Sequence, residues 1–362
     1  MSSALPVSLS ELTTLRLGGA AGRVVAAATA EELVDTVREA DAHGEPVLVV
    51  GGGSNLVVGD EGWPGVVVRV RTSGLTEVPA PSDAASSSGP ASSSGSSAGS
   101  TVTLRVAAGE VWDDLVQRTL ADGLSGLETM SGIPGLVGAT PIQNVGAYGA
   151  EVADVLTGLT LFDRHTGTVE SWTPEQCGFG FRTSAFKHTD RYVILDVTMS
   201  LVSSGRSRPV RYLELARRLG VEPGDVADPR AVRDTVLELR RSKGMVLDEA
   251  DHDSWSVGSF FVNPLLDEVP EAAADCPHWE ADGRTKLSAA WLIEHAGFGR
   301  GYGLDHGRGR VSVSTKHTLA LTNRGGATTA ELLALAAEIR AGVADRFGIT
   351  LGPEAHLANC HF

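Results

Sequence analysis

A chain of 362 residues with 42% hydrophobic content and a mean hydropathy of +0.02 can bury a large core and divides into two or three domains. Its 30 basic against 45 acidic side chains leave a formal charge of −15, which argues against broad nucleic-acid or anionic-membrane binding. Three widely spaced cysteines (Cys177, Cys276 and Cys360), with no CxxC pair, argue against a disulfide framework or structural zinc. With no basic-then-apolar leader and no apolar run of membrane-spanning length, the expected location is cytoplasmic.

Thr29-Ala30-Glu31-Glu32 has the pattern of a capping box, in which Thr29 bonds a free helix N–H and Glu32 reaches back. It predicts a helix with Leu33, Val34, Val37 and Ala40 on one face, ended by Gly44 and Pro46. Pro46 to Val50 reads as a buried strand running into Gly51-Gly52-Gly53-Ser54-Asn55, a loop of bare backbone N–H groups of the kind that cradles phosphate. A second strand, Val66 to Val70, follows. The dinucleotide fingerprint fails here: Leu56 stands where a third glycine is required, the loop leads to a strand, and no P-loop lysine follows. Any dinucleotide is held by a different fold. Pro79 to Ser100 is almost wholly Pro, Ala, Ser and Gly and cannot bury enough apolar surface to order itself. It is expected to be a disordered insertion in a hairpin loop, with Thr101 to Val106 resuming as a strand.

Trp112, Leu115, Val116, Thr119 and Leu120 mark a further helix closed by Gly123. The chain is then organised around Ile133-Pro134-Gly135-Leu136-Val137-Gly138-Ala139-Thr140-Pro141-Ile142-Gln143-Asn144-Val145-Gly146-Ala147-Tyr148-Gly149. Its glycines let backbone approach a ligand, its prolines prevent a long helix, and Gln143 with Asn144 supplies amides. It reads either as a buried crossover or as a wall for a flat or phosphorylated cofactor. A hairpin about His165-Thr166-Gly167, a second capping box at Thr173 to Gln176 and a strand from Tyr192 to Leu201 come next. A polar run near Ser203 to Pro209 marks a domain boundary. Beyond it, helices are expected after Asp228-Pro229, over Leu287 to Leu292 and after Thr328, with strands at Val311 to Val313 and Leu319 to Thr322.

Chemistry concentrates in Trp255-Ser256-Val257-Gly258-Ser259-Phe260-Phe261-Val262-Asn263-Pro264. Ser259, between a glycine and two aromatics, is either a turn serine bonded to backbone or a shielded hydroxyl able to donate a proton. No GxSxG elbow surrounds it, and no HExxH-like spacing supports a metal. Arg182 and Glu354 are lone charges in apolar or glycine-rich settings, whose value depends on convergence with Ser259.

Six segments together, in order, carry a resemblance. They are Gly51 to Asn55, Ile133 to Gly138, Pro141 to Gly149, Phe181-Arg182-Thr183-Ser184-Ala185-Phe186-Lys187, Gly258 to Pro264, and Pro353-Glu354. The chain resembles the UDP-N-acetylenolpyruvoylglucosamine reductase (UDP-N-acetylmuramate dehydrogenase) family across nearly its whole length except Pro79 to Ser100. The resemblance implies an α+β protein: an FAD-binding fold of the vanillyl-alcohol-oxidase (PCMH) type in two α/β subdomains, plus a C-terminal α+β substrate domain. The expected boundaries are 1–73, 74–203 with the insert 79–100, and 204–362, with the last residues returning to the active site. It further implies that NADPH reduces a noncovalent FAD, which passes hydride to the enolpyruvyl group of a UDP-sugar in peptidoglycan precursor synthesis. Such an enzyme meets a small-molecule substrate, as a monomer or weak oligomer, without nucleic acid, membrane or metal.

By the same resemblance Ser259 protonates C2, while Arg182 and Glu354 polarise the substrate carboxylate. FAD contacts fall on Gly51, Gly52, Gly53, Ser54 and Asn55, then on Ile133, Pro134, Gly135, Gly138, Ala139, Pro141, Gln143, Asn144, Gly146, Ala147 and Tyr148. Tyr212, Lys243, Asn263 and Lys286 meet the UDP-sugar. Two departures stand out: Phe181 replaces the usual tyrosine before the arginine, and Ala355 to Cys360 is unlike the usual ending. The other readings are an oxidase of the same flavoprotein superfamily and a noncatalytic nucleotide-sugar binder. The Gly258 to Phe261 segment and the C-terminal third weigh against the first, and intact Arg182, Ser259 and Glu354 against the second.

Overall fold

A computed structural model of the chain describes residues 7–79, 99–281, 283–305 and 309–362. Residues 80–98 of the Pro-, Ser- and Gly-rich insert lie outside the described residues. The chain forms two compact units, one of Met1–Ala26, Glu39–Arg69 and Arg240–Phe362, the other of Ala27–Arg38 and Val70–Leu239.

The first elements in the chain are β1 (Ala21–Ala27), α1 (Ala30–Ala42), β2 (Val47–Val50), β3 (Leu56–Val58) and β4 (Trp63–Val70). At the start of α1 the Thr29 hydroxyl accepts the Glu32 N–H at 3.1 Å, and the Glu32 carboxylate accepts the Ala28 N–H at 2.8 Å, one residue earlier than a full box. Leu33, Val34, Val37 and Ala40 are all buried, as the helical spacing predicts. β2 runs parallel to β4 in a sheet of order β1-β4-β2. The loop from β2 to β3 must turn sharply at Gly53. Its φ is +61°, and a Cβ there would stand 1.9 Å from the Leu12 carbonyl oxygen, so only glycine fits.

The second unit is built on an antiparallel sheet. Its strands β5 (Leu75–Val78), β6 (Ser100–Ala107), β9 (Leu156–Asp163), β10 (Thr168–Trp172) and β11 (Tyr192–Ser203) lie in the order β10-β9-β11-β6-β5. Between β6 and β9 come α2 (Trp112–Ala121) and two short strands, β7 (Gly146–Ala147) and β8 (Ala150–Glu151). One face of the sheet offers Leu104, Val106, Leu161, Val197 and Met199 to the core shared with Trp112, Leu115, Val116 and Leu120 of α2. Each such aliphatic side chain contributes about 1.5–3 kcal/mol when fully buried. The expected hairpin forms with Thr168 opposite Asp163 and Trp172 opposite Leu159. The second capping box starts only one turn, α3 (Pro174–Cys177), because Gly178 adopts a left-handed conformation directly after it. Beyond β11, α4 (Leu213–Leu219) and α5 (Pro229–Ser242) bury a separate apolar cluster of Val210, Leu215, Ala216, Val232, Val236 and Leu239.

The C-terminal part of the first unit holds a small sheet, β12 (Leu265–Leu266), β13 (His278–Ala281) and β14 (Arg284–Leu287), ordered β12-β14-β13. Next come α6 (Ala289–His295), the hairpin β15 (Val311–Val313) and β16 (Leu321–Asn323), then α7 (Thr329–Phe347) and β17 (His356–Ala358). Leu287, expected in a helix, instead ends β14; α6 begins after Ser288, whose hydroxyl accepts the Trp291 N–H at 3.3 Å. The strand expected over Leu319 to Thr322 starts two residues later, because the Ala320 N–H closes a turn onto the His317 carbonyl at 3.1 Å. Thr328 and Glu331 form the expected reciprocal cap of α7. From that helix Leu332, Ala336, Ile339 and Val343 are fully buried in the core containing Phe260, Phe261 and Leu292.

Candidate active site

Within the first unit, the glycine loop, Ser259 and Glu354 are brought together by main-chain pairing. Gly258, at φ +74°, turns the backbone, and nothing stands within 4 Å of where its Cβ would be. Ser259 follows half-buried, and then the chain is anchored: the Phe260 N–H donates to the Leu319 carbonyl at 2.8 Å. The Val262 N–H donates to the Gly352 carbonyl at 3.0 Å, and the Glu354 N–H donates to the Phe260 carbonyl at 2.8 Å. This short antiparallel pairing, centred on Phe261 and Pro353, sets Glu354 against the residue that follows Ser259. Phe260 and Phe261 are buried, with the Phe362 ring 5.6 and 6.2 Å from theirs, so the chain directly after Ser259 is packed into the core.

The glycine loop joins the same assembly. The Asn55 Nδ2 donates to the Glu354 carbonyl at 3.4 Å, and the His356 N–H donates to the Asn55 carbonyl at 2.9 Å. From there β17 runs parallel to β3, His356 opposite Leu56 and Ala358 opposite Val58. Within Ala355 to Cys360, His356–Ala358 is thus a strand partner for the residues that leave the glycine loop.

The remaining expected residues of this unit have mixed surroundings. The Asn263 Oδ1 accepts the Ala289 N–H at 2.9 Å at the start of α6. Lys286 stands on β14 opposite Trp279, its Nζ 6.0 Å from that ring. Lys243 follows the end of α5, half-buried, and its N–H donates to the Arg240 carbonyl at 3.1 Å. Its charge is felt nearby: burial first, then Lys243, pushes the His317 imidazole down to about 4.

In the second unit the organising stretch wraps the connection from β6 to α2. The Gly138 N–H donates to the Ala108 carbonyl and the Val137 N–H to the Glu110 carbonyl, both at 2.9 Å, while the Trp112 N–H donates to the Gly135 carbonyl at 3.1 Å. A Cβ at Gly138 would lie 2.5 Å from the Ala108 Cβ, so this glycine serves the packing of the chain itself. Asn144 and Tyr148 adopt left-handed φ of 45° and 50°. The buried Asn144 amide is spent internally, donating to the Gly180 carbonyl at 3.2 Å and accepting the Ala153 N–H at 3.0 Å. Arg182, itself at φ +53°, donates from Nη2 to the Gly146 carbonyl at 2.7 Å, with its guanidinium 5.7 Å from the Phe181 ring. Phe181 therefore supports the arginine through its face. Tyr212, 40% exposed, meets Tyr148 edge-on at 5.2 Å.

Each glycine-rich segment, taken within its own unit, has features that suit contact with part of a flavin dinucleotide. Gly52 is exposed at the bend of its loop, where bare main chain can meet a diphosphate. Along the other segment Ile133, Pro134, Ala139, Val145 and Ala147 stay partly exposed and Ile142 is 40% exposed, a small-residue apolar wall suited to a planar ring. Thiol chemistry has no support: burial pushes Cys177 and Cys360 up to about 11 and raises Cys276 as well. Among the described residues no cluster of His, Cys, Asp and Glu could hold a metal ion, and no helix is long and apolar enough to cross a membrane.

The chain is 53% identical over 357 residues to the UDP-N-acetylenolpyruvoylglucosamine reductase of Cutibacterium acnes (strain DSM 16379 / KPA171202), spanning 98% of this chain and 90% of that relative. It belongs to the UDP-N-acetylenolpyruvoylglucosamine reductase family. A second reductase of this name, from Salinispora arenicola (strain CNS-205), is 53% identical over 97% of this chain and 94% of its own. Residues 249–358 match the C-terminal domain of the reductase family, and residues 21–172 match the FAD binding domain. The crystal structure of the reductase from Thermus caldophilus shares the fold, with a TM-score of 0.60 at 24% identity and 97% coverage of both chains.

The motifs did not point to Thr14 or Asn323, which hold the serine segment through Ser256 and Trp255. The Asn323 N–H donates to the Trp255 carbonyl at 3.1 Å and its Nδ2 to the Leu15 carbonyl at 3.0 Å; the Thr14 hydroxyl donates to the Ser256 carbonyl at 2.7 Å. Thr14 and Ser256 are 242 positions apart, and no local pattern marks such a pair.

Proposed function

We propose that this chain reduces the enolpyruvyl group of UDP-N-acetyl-3-O-(1-carboxyvinyl)glucosamine to UDP-N-acetylmuramate with NADPH, in the cytoplasmic synthesis of peptidoglycan precursors. The observation that carries the proposal is the near-full-length identity to reductases of that name in a chain that keeps Ser259 and Glu354 on paired main chain. FAD, bound noncovalently, supplies the hydride relay from NADPH to the substrate. Gly51 to Asn55 and Ile133 to Tyr148 are the segments that would hold it, and Ser54 and Asn55 offer no histidine for a covalent link.

The chain's own residues do the rest. After hydride reaches C3, negative charge gathers on the substrate carboxylate, and Arg182 binds it as guanidinium binds carboxylates. Glu354 donates a hydrogen bond to the same group when protonated, which requires a shielded site. Preorganised donors at the developing charge lower the barrier without reorganising water. Ser259, followed directly by the buried Phe260, delivers the proton to C2. Tyr212 and Lys243 meet the UDP diphosphate, and Asn263 and Lys286 the remainder of the UDP-sugar. In this reading residues 1–73 and 74–203 serve FAD and 204–362 serve the substrate, in a monomer or weak oligomer.

The test is the visible spectrum of the purified protein under anaerobic conditions. Flavin bands that bleach with NADPH and return with the enolpyruvyl UDP-sugar support the assignment. Bands that return only with oxygen indicate an oxidase, and a colourless protein that cannot be reconstituted with FAD overturns it.

A further inference from the structure

We infer that Thr14 is a positioning residue for Ser259, an inference that rests on the reductase reading above. Ser259 is suspended between two attachments. On its C-terminal side, the Phe260 N–H is anchored on the Leu319 carbonyl at 2.8 Å. On its N-terminal side the chain passes through Gly258, where nothing stands within 4 Å of the place a Cβ would take. That turn is held by Ser256, whose Oγ accepts the Gly258 N–H at 3.1 Å. Ser256 in turn is held by Thr14, whose hydroxyl donates to its carbonyl at 2.7 Å. Both residues are 6% exposed, so water does not readily take over a lost bond.

Thr14 has a second contact that gives the arrangement its purpose. Its own N–H donates to the Gly53 carbonyl at 3.2 Å, in the loop proposed to hold the cofactor. One buried residue therefore ties the glycine loop to the turn that presents the proton donor. The opposite side of the same loop is tied to Glu354 through Asn55, so Thr14 closes a circuit from Gly53 through Ser256, Ser259 and Phe260 to Glu354 and Asn55. Proton delivery to a carbon depends steeply on placement, and a shift of about 1 Å costs as much as a hundredfold. Thr14 touches neither substrate nor cofactor in this scheme; it acts through Ser256.

Thr14→Val keeps the shape and the N–H to Gly53 but removes the hydroxyl. In the FAD-loaded, full-length protein under anaerobic stopped flow, bleaching by NADPH should change by less than about twofold. Flavin recovery on adding the enolpyruvyl UDP-sugar should slow by about tenfold or more, with a larger solvent deuterium isotope effect as protonation becomes limiting. Thr14→Ser should restore both. Ser256→Ala breaks the next link and should give the same split, which keeps the test decisive if Thr14→Val fails to fold. Recovery within about twofold of wild type in a folded variant, equal slowing of both half-reactions, or no rescue by serine overturns the inference. A wild-type protein that bleaches but does not recover with the sugar instead refutes the reductase reading, a separate outcome.

Discussion

Removing the Ser259 hydroxyl separates the two halves of the proposed reaction. Ser259→Ala leaves the backbone anchors untouched, since the Phe260 N–H to Leu319 and Glu354 N–H to Phe260 bonds use main-chain atoms. The side chain is only half-buried, so the stability change should be about 1 kcal/mol or less. The chemical cost is much larger. A positioned general acid contributes about 10²–10⁴ in rate, which at about 1.36 kcal/mol per decade is roughly 3–5 kcal/mol of barrier. Half-burial leaves water some access as a substitute acid, which favours the lower part of that range. The assay is anaerobic stopped flow at the flavin absorbance, NADPH first and enolpyruvyl UDP-sugar second. Bleaching should be nearly unchanged, and recovery should slow by about 10²-fold or more. Equal slowing of both steps, or recovery within tenfold of wild type, would refute the reasoning.

Gly53→Ala should lower the unfolding midpoint by several degrees and weaken FAD retention, since its φ of +61° alone costs about 1–2 kcal/mol and its Cβ meets the Leu12 carbonyl at 1.9 Å; an unchanged melt with full flavin content would contradict it. Arg182→Lys keeps the charge but loses the planar fork that reaches the Gly146 carbonyl, so sugar-driven recovery should fall by about tenfold or more while NADPH bleaching persists. Rates matching wild type in both steps would rule out a role for the fork. His317 is held near a pKa of about 4 against about 6.5 in the unfolded chain, so above pH 6.5 it is neutral in both states and contributes no pH dependence. As pH falls from 6.5 towards 4 the unfolded state takes up the proton first and stability drops. His317→Gln should therefore flatten thermal stability over that window, and a parallel pH profile would disprove the assignment.

Much of the candidate site was legible because its parts are local. Gly51 to Asn55 could be recognised as a loop between strands rather than a Rossmann turn because Leu56 begins β3. The helix starts at Thr29, Thr173 and Thr328 were legible for the same reason: a side-chain oxygen and an N–H three residues on meet within one turn. Where a boundary slipped, as at Leu287 and Leu319, a capping serine and a tight turn outweighed apolar spacing.

The sequence by itself determined the reductase family, the residue types able to do its chemistry, and the α2, α5 and α7 faces that pack the cores, because each depends on short-range pattern. Tertiary structure alone decided how Ser259, Glu354 and the glycine loop come together. That assembly depends on pairings such as Phe260 with Glu354, His356 with Leu56 and Thr14 with Ser256. Strands of three residues and single long-range hydrogen bonds carry no periodic signal of their own. Their partners are chosen by the packing of Phe260, Phe261 and α7 into one core, which exists only once the chain has folded.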